Sequence, residues 1–264
     1  MPGSIKRMYA LMVQELFLTR HSLELFFDIL FFPLMNVILF GLITRFVAQI
    51  REATTANYLI VGILLWEIVA INQYNVTVSS LWSVWSHNLT NIFIAPISIA
   101  EYLVSHVAAA AVKTALVFSV LAFGTFMFFN FNILSVGVLN LIFFFFNLSM
   151  FAWAMGIVLL GLIFRFGTRI QAVAWGVIFL FQPLTAAFFP VSVLPTGLRA
   201  VAYSLPPTYV FEAARQTLTH AGTNWRYMLT ALALNIFYGV LAWFAFKILF
   251  RKSKQTGQFA RNDL

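Results

Sequence analysis

The chain has 264 residues, of which 62% are hydrophobic, 17% are aromatic and only 9% are charged, and its mean hydropathy is +0.91. Soluble domains carry about 25% charged residues, so this composition excludes a soluble enzyme. The net charge of +8 arises from basic residues scattered between apolar blocks, without a continuous basic face, which excludes nucleic acid as a partner. The absence of cysteine excludes disulfides, thiolate metal sites and a cysteine nucleophile.

Long, continuous apolar runs predict α-helices, because only helices and closed barrels satisfy their backbone hydrogen bonds in lipid. We therefore expect an all-α polytopic membrane protein with a single transmembrane domain over residues 1–264. A spanning helix needs about 20 apolar residues, and six windows meet this requirement. They are residues 23–47, 57–81, 102–129, 134–164, 170–189 and 227–250.

Residues 4–20, ahead of the first span, predict an amphipathic helix that lies in the membrane interface. A helix that simply packs against the rest of the protein fits the same pattern equally well. Apolar residues share one face of this helix, whereas polar residues lie mostly opposite. The apolar face holds Ile5, Met8, Tyr9, Met12 and Leu16, and the polar residues are Lys6, Arg7 and Gln14.

The segment between the second and third spans, residues 82–101, is amphipathic and is interrupted by Pro96. Ser98 and Glu101 have the spacing of a capping box, in which each side chain satisfies a backbone N–H at a helix start. The pattern predicts a short helix on the cytoplasmic side, exposed where a soluble partner can push.

Residues 190–218, between the fifth and sixth spans, are too apolar for an exposed loop and too interrupted for one span. Non-helical backbone at membrane depth is tolerated only where it is buried or lines a cavity. We predict two short re-entrant half-helices, at about 198–205 and 209–218, that shape an exit as an outer gate; a loop resting on the interface is the alternative. Four prolines divide the segment: Pro190, Pro195, Pro206 and Pro207.

Glu212 and Arg215 have the i, i+3 spacing at which side chains pair on one helix. Such a pair can brace the outer gate, and a solvated pair without such a role is equally compatible with the spacing. Both residues are therefore candidates for the gate.

The distribution of Lys and Arg predicts the orientation, because cytoplasmic loops are enriched in both. With the N-terminus inside, ten basic residues are cytoplasmic, and residues 251–264 form a cytoplasmic tail. Five lie outside, and Lys113 falls within the third span, so both termini are expected in the cytoplasm. The ten are Lys6, Arg7, Arg20, Arg165, Arg169, Lys247, Arg251, Lys252, Lys254 and Arg261; the five are Arg45, Arg51, Arg199, Arg215 and Arg226.

Glu67 and Lys113 fall near the middle of the second and third spans, where an ionisable group costs about 2.5–3.5 kcal/mol to insert. We predict that they form a midplane charge pair, serving either to hold the spans together or to act in a substrate path. Glu24 and Asp28 are one turn apart at the inner end of the first span, near Arg20, and predict an interfacial charge cluster.

Two proline-containing runs, residues 189–195 and 206–215, resemble the closing signature of the type-two ATP-binding-cassette export permeases. Residues 95–101 resemble the coupling region of that family, and residues 58–67 resemble its second span. The resemblance extends over nearly the whole chain. Residues 87–91 stand where many members carry a charged run before the coupling proline.

The resemblance implies a homodimer or a heterodimer of permeases, with a homodimer expected, in which each copy docks on a separate ATPase subunit. ATP and magnesium would bind to that partner, with no cofactor on this chain. The expected substrate is amphipathic or lipid-linked (a lipid, drug or lipo-oligosaccharide) and leaves through the inner cell membrane, whose lipid surrounds the protein. ATPase coupling is implied for Asn88, Asn91, Pro96, Ser98 and Glu101, and for Glu24 and Asp28.

The only Gly-x4-Gly run, Gly156 to Gly161, lacks the Lys and Ser or Thr of a phosphate loop. These glycines predict close helix packing instead. ATP hydrolysis is therefore expected on the partner chain.

Other functions remain as alternatives to this exporter. A polysaccharide export permease belongs to the same family. A polytopic membrane enzyme acting on lipids would need convergent acids, bases or a metal site, and the eight carboxylates are dispersed, so no catalytic or metal-binding residue is predicted. A channel or secondary transporter would predict internal repeats, and the sequence has no convincing repeat.

Overall fold

The computed structural model describes residues 2–50, 53–86, 88–219 and 222–257; it is 90% helical, and the described residues contain no strand. A π-helical turn at Phe27–Phe31 joins the second and third helices, and short 3-10 turns precede the seventh, eighth and ninth. In chain order the helices are α1 (Pro2–His21), α2 (Leu23–Phe26), α3 (Phe32–Ile50), α4 (Ala53–Trp85), α5 (Leu89–Ile94), α6 (Ile99–Phe129), α7 (Val138–Phe166), α8 (Gln171–Leu184), α9 (Thr196–Ser204), α10 (Pro206–Thr219) and α11 (Trp225–Gln255).

Five helical segments of the described chain are long and apolar enough to cross a membrane. The protein is therefore a membrane-embedded, multi-pass, all-α protein. Five of the six predicted windows coincide with these segments to within a few residues. The segments are Leu23–Gln49, Asn57–Trp85, Ile99–Phe129, Val138–Phe166 and Trp225–Gln255, the first of which combines α2, the π-helical turn and most of α3.

The predicted span at residues 170–189 is longer than the helix found there. Helix α8 has 14 residues, or about 21 Å at 1.5 Å per residue, against a hydrocarbon core of about 30 Å. Pro183 lies in its last turn, and Ala186 has a positive φ of 53°. Because neither feature continues an α-helix, the helix ends at Leu184.

Helix α4 is the centre of the bundle. Within its most apolar window 83% of the residues are buried, and α4 contacts α3, α6, α7, α8 and α10. Leu64, Leu65 and Ile68 are completely buried. The outer helices α3 and α11 instead expose apolar side chains, which fits a bilayer as their surroundings.

Helix α1 covers the predicted segment 4–20, so its helical structure is confirmed. Ile5 and Tyr9, on the predicted apolar face, are exposed, whereas Leu11 and Glu15 are buried. Helix α1 packs against α6. It therefore turns part of its polar side towards the protein and much of its apolar face outwards.

The chain reverses in a short turn between the third and fourth spans. Asn130 ends α6 in the left-handed conformation, with φ 53°, and its N–H bonds back to the last turn of the helix. The Asn132 side chain then accepts a hydrogen bond from Leu134 N at 3.0 Å. These two asparagines reverse the chain with few residues and lead into α7.

Gly156 and Gly161 lie where α7 approaches its neighbours, as the sequence predicts. A Cβ on Gly156 would lie 2.9 Å from Val76 Cβ on α4, and one on Gly161 would lie 3.2 Å from Phe246 Cα on α11. The missing side chains thus permit close packing of three spanning helices.

The variant Gly156→Ala is expected to lower the free energy of unfolding by about 1–3 kcal/mol, because the added methyl overpacks the contact with Val76. SDS titration of the purified protein measures the change. Gly239→Ala on α11 is the matched control, since a Cβ there meets no atom within 4 Å, and it should leave stability unchanged or slightly raised. Equal losses in both variants would contradict the packing role.

Candidate functional site

The start of α6 carries the predicted capping box. Ser98 Oγ accepts a hydrogen bond from Glu101 N at 3.2 Å, and Glu101 Oε2 accepts one from Ser98 N at 2.7 Å. The two bonds are reciprocal and fix where α6 begins. The chain between α5 and α6 consequently enters the helix at a defined angle.

Helix α1 is tied to this helix start by an ion pair that the sequence analysis missed. Arg7 Nη2 donates to Glu101 Oε1 at 2.5 Å. Glu101 therefore joins the capping box and α1 at once. The sequence did contain a signal for this contact, namely the polar residues of α1. In a helix on the lipid surface these residues would face water, whereas here Arg7 faces Glu101.

Helix α5, the segment up to Ser98 and the N-terminal part of α1 form one surface, which we call the platform. It borders a groove of about 540 Å³, lined in part by Arg7, Gln14, Asn91 and Pro96. Asn91 Nδ2 donates to Asn88 Oδ1 at 3.2 Å within it. Ile94, at the end of α5, is 76% exposed. The platform thus combines polar groups with one protruding apolar side chain.

An aromatic cluster anchors the platform to the bundle. The Phe93 ring on α5 lies 5.3 Å from the Tyr102 ring on α6 and 5.7 Å from the Phe250 ring on α11, measured between centroids. Phe164 on α7 lies 5.8 Å from Phe250. The short helix is therefore packed on α6 and α11, and α7 joins the cluster through Phe164.

The seven residues predicted for coupling do not form one group. Asn88, Asn91, Pro96, Ser98 and Glu101 meet at the platform, whereas Glu24 is exposed elsewhere and Asp28 accepts a hydrogen bond from the Tyr74 hydroxyl on α4. The separation follows from α1, whose 20 residues run about 30 Å. They carry the chain along α6 and away from the platform before Glu24 is reached.

The predicted midplane pair of Glu67 and Lys113 is not formed, and this prediction is wrong. Lys113 Nζ lies 3.5 Å from Glu15 Oε2, and Glu67 Oε1 instead accepts a hydrogen bond from Asn36 Nδ2 at 3.1 Å. The two residues point to different neighbours, since α1 packs on α6 and α3 packs on α4. The two ionisable residues therefore belong to separate sites, one between α3 and α4 and the other between α1 and α6.

Glu15 is the centre of a buried cluster that joins α1 to α6. Its Oε1 lies 3.3 Å from His106 Nε2, and its Oε2 lies near Lys113. All three side chains are at least nine-tenths buried. His106 and Lys113 are seven residues apart and share a helical face, which was the signal available in the sequence.

Asp28 and Glu67 both line a cavity of about 330 Å³ between α3, α4 and α8, which we call the carboxylate cavity. Asn36 and Tyr74, their hydrogen-bond partners, line it as well. None of its lining residues is basic. No group of three or more His, Asp or Glu suited to a metal ion occurs in the described part of the chain.

The predicted proline-divided segment contains the two expected short helices, α9 and α10. Each proline lies at a boundary: Pro190 precedes a 3-10 turn, Pro195 precedes α9, and Pro206 and Pro207 begin α10. Proline is favourable at a helix start because the first N–H groups have no partner within the helix. The sequence thus predicted the division of this segment correctly.

Glu212 and Arg215 form the predicted pair, with Arg215 Nη2 donating to Glu212 Oε1 at 2.9 Å. Arg215 Nη1 also donates to the Ala186 carbonyl at 3.0 Å, and Glu212 Oε1 accepts from Val191 N at 2.8 Å. Arg215 is only 6% exposed. The pair is therefore no solvated surface bridge, and it holds α10 against the chain that follows α8.

The turn between α9 and α10 packs against the middle of α11. The Tyr238 hydroxyl donates to the Ser204 carbonyl at 3.2 Å, and Tyr238 is 13 residues into a helix of 31 residues. Leu205 and Tyr238 line one apolar cavity with Phe151, which lies midway along α7. The turn thus lies level with the centres of two spanning helices.

In comparisons with known proteins, no family model matches the chain and no curated protein matches it. Function is accordingly inferred from the platform, the buried charges and the α9–α10 turn.

Proposed function

We propose that the chain is the membrane-spanning subunit of an ATP-driven exporter of the type-two ATP-binding-cassette class. It moves an amphipathic or lipid-linked substrate out of the cytoplasm, as one half of a homodimer in the inner cell membrane. ATP and magnesium are bound by a separate ATPase subunit, and both termini lie in the cytoplasm.

The platform is the observation that carries this proposal. A membrane helix bundle has no need for a short, exposed amphipathic helix fixed between a capping box and an aromatic cluster. Such a helix suits a soluble partner, because exposed Ile94 can enter a pocket while Asn88 and Asn91 provide hydrogen bonds at the rim. The lack of a phosphate loop in the chain makes an ATPase the partner that supplies the energy.

The α9–α10 turn supports the re-entrant half-helices of an outer gate. Since Ser204 contacts Tyr238 near the middle of α11, the two helices lead to membrane depth and back. Helix α8, extended by residues 185–189, then provides the sixth crossing. Non-helical backbone at this depth is buried, as Thr185, Ala186 and Ala187 are.

In this mechanism, ATP binding brings two ATPase subunits together and moves α5. Phe93 transmits the movement to α6 and α11, and the ion pair between Arg7 and Glu101 carries α1 along with α6. The spanning helices then separate towards the outer gate. Substrate leaves between the two copies.

Cross-linking at Ile94 tests the proposed partner. Because the chain contains no cysteine, Ile94→Cys introduces a single thiol that a benzophenone maleimide can label. After illumination in membranes of the native host, we expect a covalent adduct with an ATPase that carries a phosphate-loop lysine. Mass spectrometry identifies the adduct, and ATP hydrolysis should co-purify with the tagged chain.

Leu134→Cys is the matched control, since Leu134 is also apolar and exposed but lies at the opposite end of α6. It should give no ATPase adduct. An ATPase adduct from Leu134→Cys alone, or no phosphate-loop ATPase from either variant, would overturn the proposal.

A further inference from the structure

The carboxylate cavity has the size and lining of a site for a small organic group. Its volume of about 330 Å³ is at the lower end of the range of about 300–1,000 Å³ for ligand pockets. Most of its wall is apolar, and its polar groups converge from α4 and from the first spanning helix. Such a lining holds an apolar body and orients it by a few polar contacts.

Glu67 is a buried acidic residue of this cavity that has no basic residue beside it in the described part of the chain. The residue is only 2% exposed, and Asn36 is its only hydrogen-bond partner among the described residues. An amide neutralises no charge. Lys113, the basic residue on the neighbouring α6, is engaged with Glu15. An ionised carboxylate at membrane depth is stabilised by a positive partner, and the described residues place no basic side chain beside Glu67.

Aromatic rings line the rest of the cavity. Tyr74 and Trp175 meet edge to face with 5.6 Å between ring centroids, and Phe32 and Phe179 stand at the rim, 57% and 67% exposed. Aromatic faces attract organic cations, most strongly where water is excluded. The exposed rim rings leave the cavity open towards the side of the bundle.

We propose that the carboxylate cavity binds the positively charged head of an amphipathic organic cation, such as a substituted ammonium. Glu67 is the ion-pair partner, Asp28 adds a second negative charge, and the aromatic rings surround the head. The apolar part of the ligand extends past Phe32 and Phe179. This inference rests on the proposed function for the direction of transport and makes organic cations the substrate class.

The lining disfavours other ligands. Two carboxylates repel an anionic group, and no basic residue lines the cavity to offset them. Hard divalent cations such as calcium take six to eight oxygen ligands, and the described residues contain no group of three or more His, Asp or Glu that could hold a metal ion. The combination of carboxylate and aromatic groups therefore selects an organic cation.

Binding of radiolabelled benzyltrimethylammonium to the purified chain in nanodiscs tests the inference, with empty nanodiscs as background. We expect saturable binding that is displaced by excess unlabelled cation and resists neopentylbenzene, its uncharged isostere. Glu67→Gln should weaken binding by about tenfold or more, and Asp28→Asn should weaken it less, because a lost charged contact is worth about 1.5–3 kcal/mol.

Arg226→Gln is the control, because it removes the charge of an exposed residue that does not line the cavity and should leave binding unchanged. Size-exclusion profiles show whether each variant is folded, and Asp28→Asn keeps the test decisive if Glu67→Gln misfolds. Displacement by neopentylbenzene, or unaltered binding in folded Glu67→Gln or Asp28→Asn, overturns the inference. The binding assay contains no ATPase, so its result is independent of the Ile94 cross-link. Failure of cation binding therefore contradicts this inference alone, whereas failure of the cross-link contradicts the proposed function.

Discussion

Replacing Lys113 by Met is expected to lower the free energy of unfolding by about 3–5 kcal/mol, because Glu15 then remains buried without its lysine. The double variant Glu15→Gln with Lys113→Met should recover most of this loss, since the carboxylate that lost its lysine is then removed as well. Wild type, the two single variants and the double variant form a double-mutant cycle. SDS titration of these four proteins measures the coupling free energy between the two residues. The cycle applies to the contact that joins α1 to α6.

The cycle between Glu67 and Lys113 is the control for this pair. Those residues contact different partners, so the losses from Glu67→Gln and Lys113→Met should add. A strong coupling between Glu67 and Lys113, together with additivity for Glu15 and Lys113, would reverse our assignment.

Arg215→Ala is expected to be as severe, at about 3–5 kcal/mol, because the buried guanidinium binds both Glu212 and the Ala186 carbonyl. Its loss leaves Glu212 without its ion-pair partner and removes the bond from α10 to the Ala186 carbonyl. We expect a lower melting temperature in detergent and, in the proposed exporter, loss of transport. Fluorescence-detected size exclusion after heating provides the measurement.

Two further variants separate charge from geometry at this site. Arg226→Ala removes an exposed arginine from the first turn of α11 and should change stability by less than about 0.5 kcal/mol. Arg215→Lys keeps the charge but replaces the planar fork by a point charge, so it should fall between wild type and Arg215→Ala. Arg215→Ala as stable as Arg226→Ala would contradict the bracing role.

Hydrophobicity and local signals predicted most of the helices. Apolar runs located five spanning segments, Ser98 and Glu101 located the start of α6, and the prolines divided the segment that became α9 and α10. Each of these signals depends on residues that are close together along the chain, so it can be recognised from a single sequence. The fifth window was overestimated because hydropathy does not register the positive φ of Ala186.

Local sequence signals could not predict which buried ionisable residues contact each other. Counting residues from a span end gives the depth of Glu67 and Lys113, but not the direction in which each side chain points. That direction depends on which helices are neighbours, and the sequence left open whether α1 lies in the interface or packs against the rest of the protein. Glu15, the partner of Lys113, was accordingly overlooked.

Helix α11 is one continuous helix of 31 residues that contacts both the platform and the α9–α10 turn. Phe250 meets Phe93 of the platform, and Tyr238, twelve residues or about 18 Å earlier, meets the α9–α10 turn. One continuous helix therefore connects the two contacts. In the proposed mechanism, a displacement of α5 that moves α11 as a unit also moves the contact at Ser204.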